Sequence, residues 1–512
     1  MSDRRAIATG RARATAAAAA CLALLAAGST AQEAQEAEDA PLSAIDWLGD
    51  VPMEPALDDP FRALEAPVAE SGAVPSVEAA PLEDGGGSGT GVISTAVSGL
   101  PSRLWQGATE AEIAAGFDAI PTEALLPVQQ MRQRLLLAAA APPAGTDEAA
   151  FLVLRVDALV ALGAVPAALS LLEEAGETLL RDGRVFRRYA DLSLLTGRED
   201  AACARLRGEA ALSDDIALRV FCLARTSDWN AAAVALNTAA VLGDVAPETA
   251  ELLTQFLEPE FADGTAPPLP PGPVTPLLMR LREAVGAPLA SADLPPAFAV
   301  SDLRADMGWK AQLDAAERLA RTGALPPAQL AALYRARVPA ASGGVWDRAE
   351  AVRRISEALE TGAALDAPLE AGRAALAAAG LEAQLAAMVA DALRQRDAGG
   401  PARQRLLLLS PFYEAATAAE GLPAEVARGR VVSASANSAL EEAIAEAFRP
   451  GREIDPPVSL GLALLDALAT IEAARTGASI ELTRALALLR AVGLEDIARQ
   501  SALHLLLMQA DA

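Results

Sequence analysis

The chain has 512 residues, 52% of them hydrophobic, which is room for two or three ordinary domains with real cores. Alanine fills about a quarter of it, while 10 Phe, 5 Trp and 3 Tyr are few for sheet faces built on aromatic and β-branched pairs, so closely packed helices are expected and an all-β fold is not. A formal net charge of −26 is the reverse of the basic footprint a nucleic-acid binder needs, and it repels anionic membrane surfaces.

In chain order, residues 1–31 read as an export signal. Arg4, Arg5, Arg11 and Arg13 form a basic start, residues 14–28 a small apolar run around Leu22, Leu24 and Leu25. Ser29, Thr30 and Ala31 then offer small residues to a signal peptidase, with cleavage expected after Ala31. The run is too short and alanine-rich for a stable span, so no membrane span is expected once it is removed. Asp3 before the Arg4-Arg5 pair weakens a twin-arginine reading, and the apolar run continues past Cys21, where a lipoprotein box should end it. The expected location is the periplasm.

Residues 32–98 read as a disordered acidic tail rich in Pro and Gly, too poor in apolar surface to order itself. One island interrupts it. Ile45, Trp47 and Leu48 amid acidic filler form either a partner-docking segment or a patch that packs back on its own domain.

Helical texture begins near Gly99. Residues 100–105 read as a docking turn, followed by helices over 110–117 and 122–140, the latter with Leu126, Met131, Leu135 and Leu136 near helical spacing. Beyond residues 141–145, helices of 10 to 18 residues should follow one another to the C-terminus, broken at Gly163, Gly197, Gly323, Gly380 and Gly493. The breaks recur. Gly163, Gly197 and Ser227 each precede an alanine-rich helix start, with leucines about one turn later. This resembles the centre of a tetratricopeptide repeat, in which alanine lets two helices approach closely and leucine fills the gap to the next hairpin. Val165 and Glu199 stand where an aromatic is usual, and the first-helix signature is absent. The fold class expected is therefore all-α, a tetratricopeptide-like solenoid of helical hairpins over 99–258. A stiff, extended Pro-rich connector over 259–300 should follow, then a second helical segment over 301–512. Within that segment, helices are expected over 309–321, 327–337 and 346–361, with a last pair over 481–491 and 494–507.

Signal, acidic tail with Ala44-Ile45-Asp46-Trp47-Leu48, the Leu100-Pro101-Ser102-Arg103-Leu104-Trp105 turn and alanine-rich helices together resemble a group of exported proteins of α-proteobacteria. Some of these carry the label "antifreeze glycopeptide polyprotein". The resemblance implies an exported helical protein and no particular activity. The label itself reflects composition, since neither tandem Ala-Ala-Thr units nor a register of threonines along one helix face is present.

Catalytic chemistry has few places to reside. The single histidine, His504, rules out a two-histidine zinc helix, and no nucleophile elbow accompanies it. It shares a helix face with Ile497 and Ser501 and is expected to be an interior or edge residue. The single lysine, Lys310, has Met307 where a Ser-x-x-Lys motif needs serine, and the glycines of 85–91 lack the Lys-Ser/Thr of a phosphate loop. Glu441, Glu442, Glu495 and Asp496 sit at helix starts, where they favour the helix dipole. The Glu-Ser signature of a lytic transglycosylase is not found. No metal or cofactor is expected.

Cys203 and Cys222 are the only cysteines left after signal removal. Cys203 falls in a helix near 199–211 and Cys222 in the next, near 214–225, with Ser213 as the expected N-cap. In an antiparallel hairpin, facing residues have a constant index sum, and this pair centres on the Leu212-Ser213 break. A disulfide is expected in an oxidising compartment; a pair of small buried thiols is the alternative. The leading function is a non-enzymatic periplasmic interaction or scaffold protein holding a peptide or helix of a cell-envelope partner. The alternative is an accessory or divergent cell-envelope enzyme, acting on peptidoglycan.

Overall fold

The computed structural model describes residues 89–261, 267–396, 400–431, 438–449, 457–477 and 481–509, all within one compact unit, 81–512. Residues 1–31, expected as an export signal, and the Ile45, Trp47 and Leu48 island lie outside the described residues. Among the described residues the fold is all-α, without a strand. The helices are α1 (Thr95–Ser98), α2 (Glu110–Asp118), α3 (Leu126–Leu137), α4 (Glu148–Ala161), α5 (Val165–Glu174), α6 (Gly176–Leu180), α7 (Gly183–Thr196), α8 (Glu199–Gly208), α9 (Ile216–Arg225), α10 (Trp229–Leu242), α11 (Pro247–Leu257) and α12 (Pro276–Ala284). They continue as α13 (Trp309–Arg321), α14 (Pro327–Arg335), α15 (Val345–Thr361), α16 (Asp366–Ala377), α17 (Glu382–Arg394), α18 (Pro401–Leu408), α19 (Gly421–Ala427), α20 (Ala439–Ala447), α21 (Leu460–Ala474), α22 (Leu482–Ala491) and α23 (Glu495–Gln509).

Local chemistry explains the boundaries. A capping box closes the start of α2, Thr109 accepting from the Glu112 N–H while the Glu112 carboxylate accepts from the Thr109 N–H. The helix expected over 122–140 is shorter, because Pro127 sits in the first turn of α3, where its missing N–H is harmless, and the residues before it run extended. Gly163 and Gly197, with φ of 81° and 72°, end their helices in the left-handed region. At the third turn Ser227 adopts φ 64°, the one non-glycine residue among those described with positive φ. Hairpins α4–α5, α7–α8 and α9–α10 therefore turn at the three recurring breaks.

Two stretches are more ordered than their composition suggests. Residues 89–98, expected in the tail, pack on the start of the helical unit. Ile93 forms a parallel bridge with Ala138, and a Cβ on Gly91 would lie 2.3 Å from the Ala139 nitrogen, so only glycine allows this approach. Buried Arg155 ties the layers together, donating to the carbonyls of Leu136, Ala138 and Thr90 at 2.7, 2.9 and 2.6 Å. The stretch expected as connector, 259–300, contains α12, whose Leu277, Leu278 and Leu281 are buried and which packs on α7. The docking turn behaves as expected. Leu100, Leu104 and Trp105 are buried, and the Trp105 ring meets Phe117 and Phe151.

The far ends of this helical unit touch. α21 packs on α2 and α3, α23 packs on α3, and the Gly461 N–H donates to the Leu104 carbonyl at 2.9 Å. Between them, the C-terminal end of α13 is an interior crossroads. The last carbonyls of a helix lack intrahelical donors, and here side chains supply them. Gln384 of α17 donates to Ala320 at 2.9 Å, Gln129 of α3 to Arg321, and Gln133 to Gly323 just beyond the helix at 2.6 Å. Thr322 in turn donates to the Leu162 carbonyl at the end of α4 at 2.6 Å.

Candidate interaction surface

Cys203 and Cys222 are joined, with an S–S distance of 2.01 Å and Cα atoms 5.0 Å apart. The bridge ties α8 to α9 from the inner side of the hairpin, both sulfurs being buried. The turn between them differs in detail from expectation. α8 ends at Gly208, a 3-10 turn spans Ala210–Leu212, and the N-cap of α9 is Asp215, whose carboxylate accepts from the Leu218 N–H at 3.1 Å. Ser213 is occupied otherwise. Its hydroxyl accepts from the Asp215 N–H and its carbonyl from Arg219, so it shapes the turn that presents the cap. Outside the hairpin, Glu199 of α8 receives Arg280 of α12 at 3.0 Å and Arg225 of α9 at 3.8 Å. Three helices are thereby held in one register.

Beside the tip of this hairpin lies a groove of about 760 Å³. Leu212, Val245, Leu277, Leu278 and Leu281 give it a buried apolar floor, and Pro270, Pro271 and Pro273 one wall. The proline run is fixed there through Arg282, which donates to the Pro267 carbonyl at 2.6 Å and to Ala287 at 3.2 Å. Its rim is acidic. Asp214 is fully exposed, Asp244 is exposed, and Asp215 is shared with Arg187 at 3.2 Å. Burial lifts the carboxyl of neighbouring Asp191 above the ordinary range, against the pull of Arg187.

α10 follows the disulfide-linked helix α9 and runs toward this rim. Its fourteen residues include no ionisable side chain. Trp229, Val234, Val241 and Leu242 stay 49%, 67%, 88% and 69% exposed, while Ala232, Leu236 and Ala239 face the core. A helix apolar on both sides is normally covered on both. Trp229 leans on Phe256, which stacks on Phe221, so its position is fixed although half its surface is open. This feature was open to sequence reasoning, since Trp229–Leu242 is uncharged as written; the groove was not, because its wall reads locally as a linker.

The expected partner-docking residues Ile45, Trp47 and Leu48 lie outside the described residues. His504 is buried at 3% exposure, its Nε2 donating to the Leu409 carbonyl at 3.0 Å, and burial pushes its pKa down to about 4. It is an interior histidine, held neutral. Glu441, Glu442, Glu495 and Asp496 occupy first turns of α20 and α23, and Asp496 accepts from the Tyr413 hydroxyl at 2.6 Å. Among the described residues no cluster of His, Cys, Asp and Glu could hold a metal ion, and no helix is long and apolar enough to cross a membrane. Comparison with known proteins finds no matching family model, no matching curated protein and no matching solved structure.

Proposed function

We propose that the chain is a non-enzymatic interaction protein of the periplasm, a tetratricopeptide-like helical array delivered by the signal of residues 1–31. It holds a segment of a cell-envelope protein in the groove beside the Cys203–Cys222 hairpin. The observation that carries this reading is the groove itself, with an apolar floor and the acidic rim of Asp214, Asp215 and Asp244. Such a site suits an extended segment that buries one or two apolar side chains and carries lysine or arginine beside them. The uncharged outer face of α10 extends the apolar surface beyond the rim. A disulfide joining α8 to α9, the helix whose entry lines the groove, suits an oxidising compartment.

Affinity capture from periplasmic extract tests the proposal, comparing the native chain with Asp214→Lys/Asp244→Lys and Val241→Asp/Leu242→Asp variants. All four positions are exposed, so folding should be unaffected. The native chain should retain one protein through a basic-apolar segment, and the charge reversal should weaken retention by about tenfold or more. Equal retention by all variants, or turnover of muropeptides by the pure protein, would overturn the reading.

A further inference from the structure

A second cavity lies at the interior crossroads, well away from the groove in the chain, with a volume of about 470 Å³. Its walls come from the start of α3, the ends of α13, α16 and α21, the first turn of α17, and α23. In a chain of net charge −26, the ionisable side chains lining it are three arginines (Arg321, Arg373 and Arg475), two glutamates (Glu123 and Glu382) and His504.

The donors converge from two directions. Glu382, Ala383 and Gln384 are the first three residues of α17, a thirteen-residue helix without a side-chain cap, and all three line the cavity. Their N–H groups and the positive end of the helix suit a carboxylate or another anion. Arg321 is the least committed of the arginines. Its guanidinium meets Glu123 at 3.5 Å, and Glu123 is itself 62% exposed, so most of its donors remain available. Arg475 and Arg373 are held more firmly, by Glu472 at 2.9 Å and by Glu370 at 2.6 Å.

Acceptors are present too. Glu382 is fixed by Arg405 at 2.6 and 3.0 Å, with Arg373 at 3.4 Å, and keeps a carboxylate at the wall. His504, 97% buried by its 3% exposure, lines the same cavity. Because Nε2 donates to Leu409, Nδ1 of the neutral ring is an acceptor, and Gln384 adds a buried Oε1 that has no hydrogen-bond partner among the described residues. A simple anion would satisfy the donors and leave the Gln384 and His504 acceptors idle; a simple cation would do the converse.

We propose that this cavity is a binding site for a small zwitterion of amino-acid or dipeptide size, its carboxylate on Arg321 and the first turn of α17, its amino group toward His504 Nδ1 and Glu382. The volume fits such a ligand with room for a side chain, and the site is independent of the groove and its partner.

His504 makes the test specific, because it is the only histidine in the chain. In the untagged full-length protein its imidazole gives one set of nitrogen and proton resonances, which report on this cavity alone. Titration with glycylglycine should move them saturably. Acetate, lacking the amino group, and methylammonium, lacking the acid, should each bind at least about tenfold more weakly. Arg321→Gln should weaken glycylglycine about tenfold at unchanged melting temperature. Met508→Trp, at a 42% exposed position lining the cavity, should block it by bulk even if the arginine variant fails to fold. No saturable movement by roughly 10 mM glycylglycine, equal binding of acetate, or full binding by a folded variant would each overturn the proposal.

Discussion

The backbone N–H of Leu125, at the start of α3, donates to the buried carboxylate of Glu472, in α21, at 2.7 Å across 347 residues of sequence. Glu472 thus plays for α3 the part that the N3 carboxylate plays in a capping box, accepting the N–H of the N-cap residue itself, while Leu125 has no side-chain oxygen to offer the first turn. Its second oxygen holds Arg475 at 2.9 Å, so one carboxylate both anchors the entry to α3 and joins the early helices to the late ones.

Replacing Glu472 by alanine should therefore do more than remove a surface ion pair. It leaves the buried Leu125 N–H without its acceptor and leaves Arg132, buried and held by the carbonyls of Ile120, Pro121 and Thr122, without the nearby negative charge that favours its ionised form. A loss of about 2–3 kcal/mol is expected in chemical denaturation. Glu472→Gln keeps an acceptor and should lose about half as much. Hydrogen exchange at the Leu125 amide should accelerate in the alanine variant and change little in the glutamine one.

Ser227 occupies a left-handed position that glycine fills at the two equivalent turns, Gly163 and Gly197. A Cβ in this region costs about 1 kcal/mol, only partly offset by the greater freedom of glycine in the unfolded chain. Ser227→Gly should raise stability by about 0.5 kcal/mol, while Gly197→Ser should lower it. Thermal unfolding of both variants checks the pair; a loss of stability in Ser227→Gly would contradict the backbone argument.

His504 should make stability depend on pH. Its folded pKa is lowered to about 4 by burial, below the ordinary value of 6.5. Between these values the unfolded chain takes up a proton that the folded chain refuses, so stability falls as the pH drops from 6.5 and levels off near 4. The full effect is on the order of 3 kcal/mol. In the difference between native protein and a His504→Gln variant, this slope should appear over that window and vanish above pH 7 or so. A flat difference would mean that the folded state does not hold the imidazole neutral.

The Cys203–Cys222 bridge closes a loop of sequence separation 19. Chain entropy gives such a cross-link about 3 kcal/mol. Unreduced protein lacking residues 1–31, and so Cys21, should therefore add no alkyl groups by intact mass, and reduction should lower its unfolding midpoint, first around α8 and α9. Uptake of two alkyl groups without reductant would show the thiols to be free.

The pairing of Cys203 with Cys222 was legible before any coordinates, because a hairpin is a local object: two helical periods, one break between them, and an index sum that meets at the break. The same holds for α13, found at 309–321 as expected, and for α22 and α23, whose ends lie within a residue or two of expectation. Apolar spacing, Pro in first turns and Gly after last ones act over a few residues, so sequence alone settles them. The closure of the helical unit was not legible. Gln129, Gln133, Gln384 and Glu472 are single polar residues on helices, with nothing local to distinguish them from solvated ones. Their partners lie 64 to 347 residues away, and only the tertiary fold brings an uncapped helix end to each. The proline run of the groove and the glycines of 89–91 misled for the same reason. Both read as linker because extended and glycine-rich backbone buries nothing of its own. They become walls only when Arg282 and the Ala138–Ala139 backbone arrive from elsewhere to satisfy or approach them.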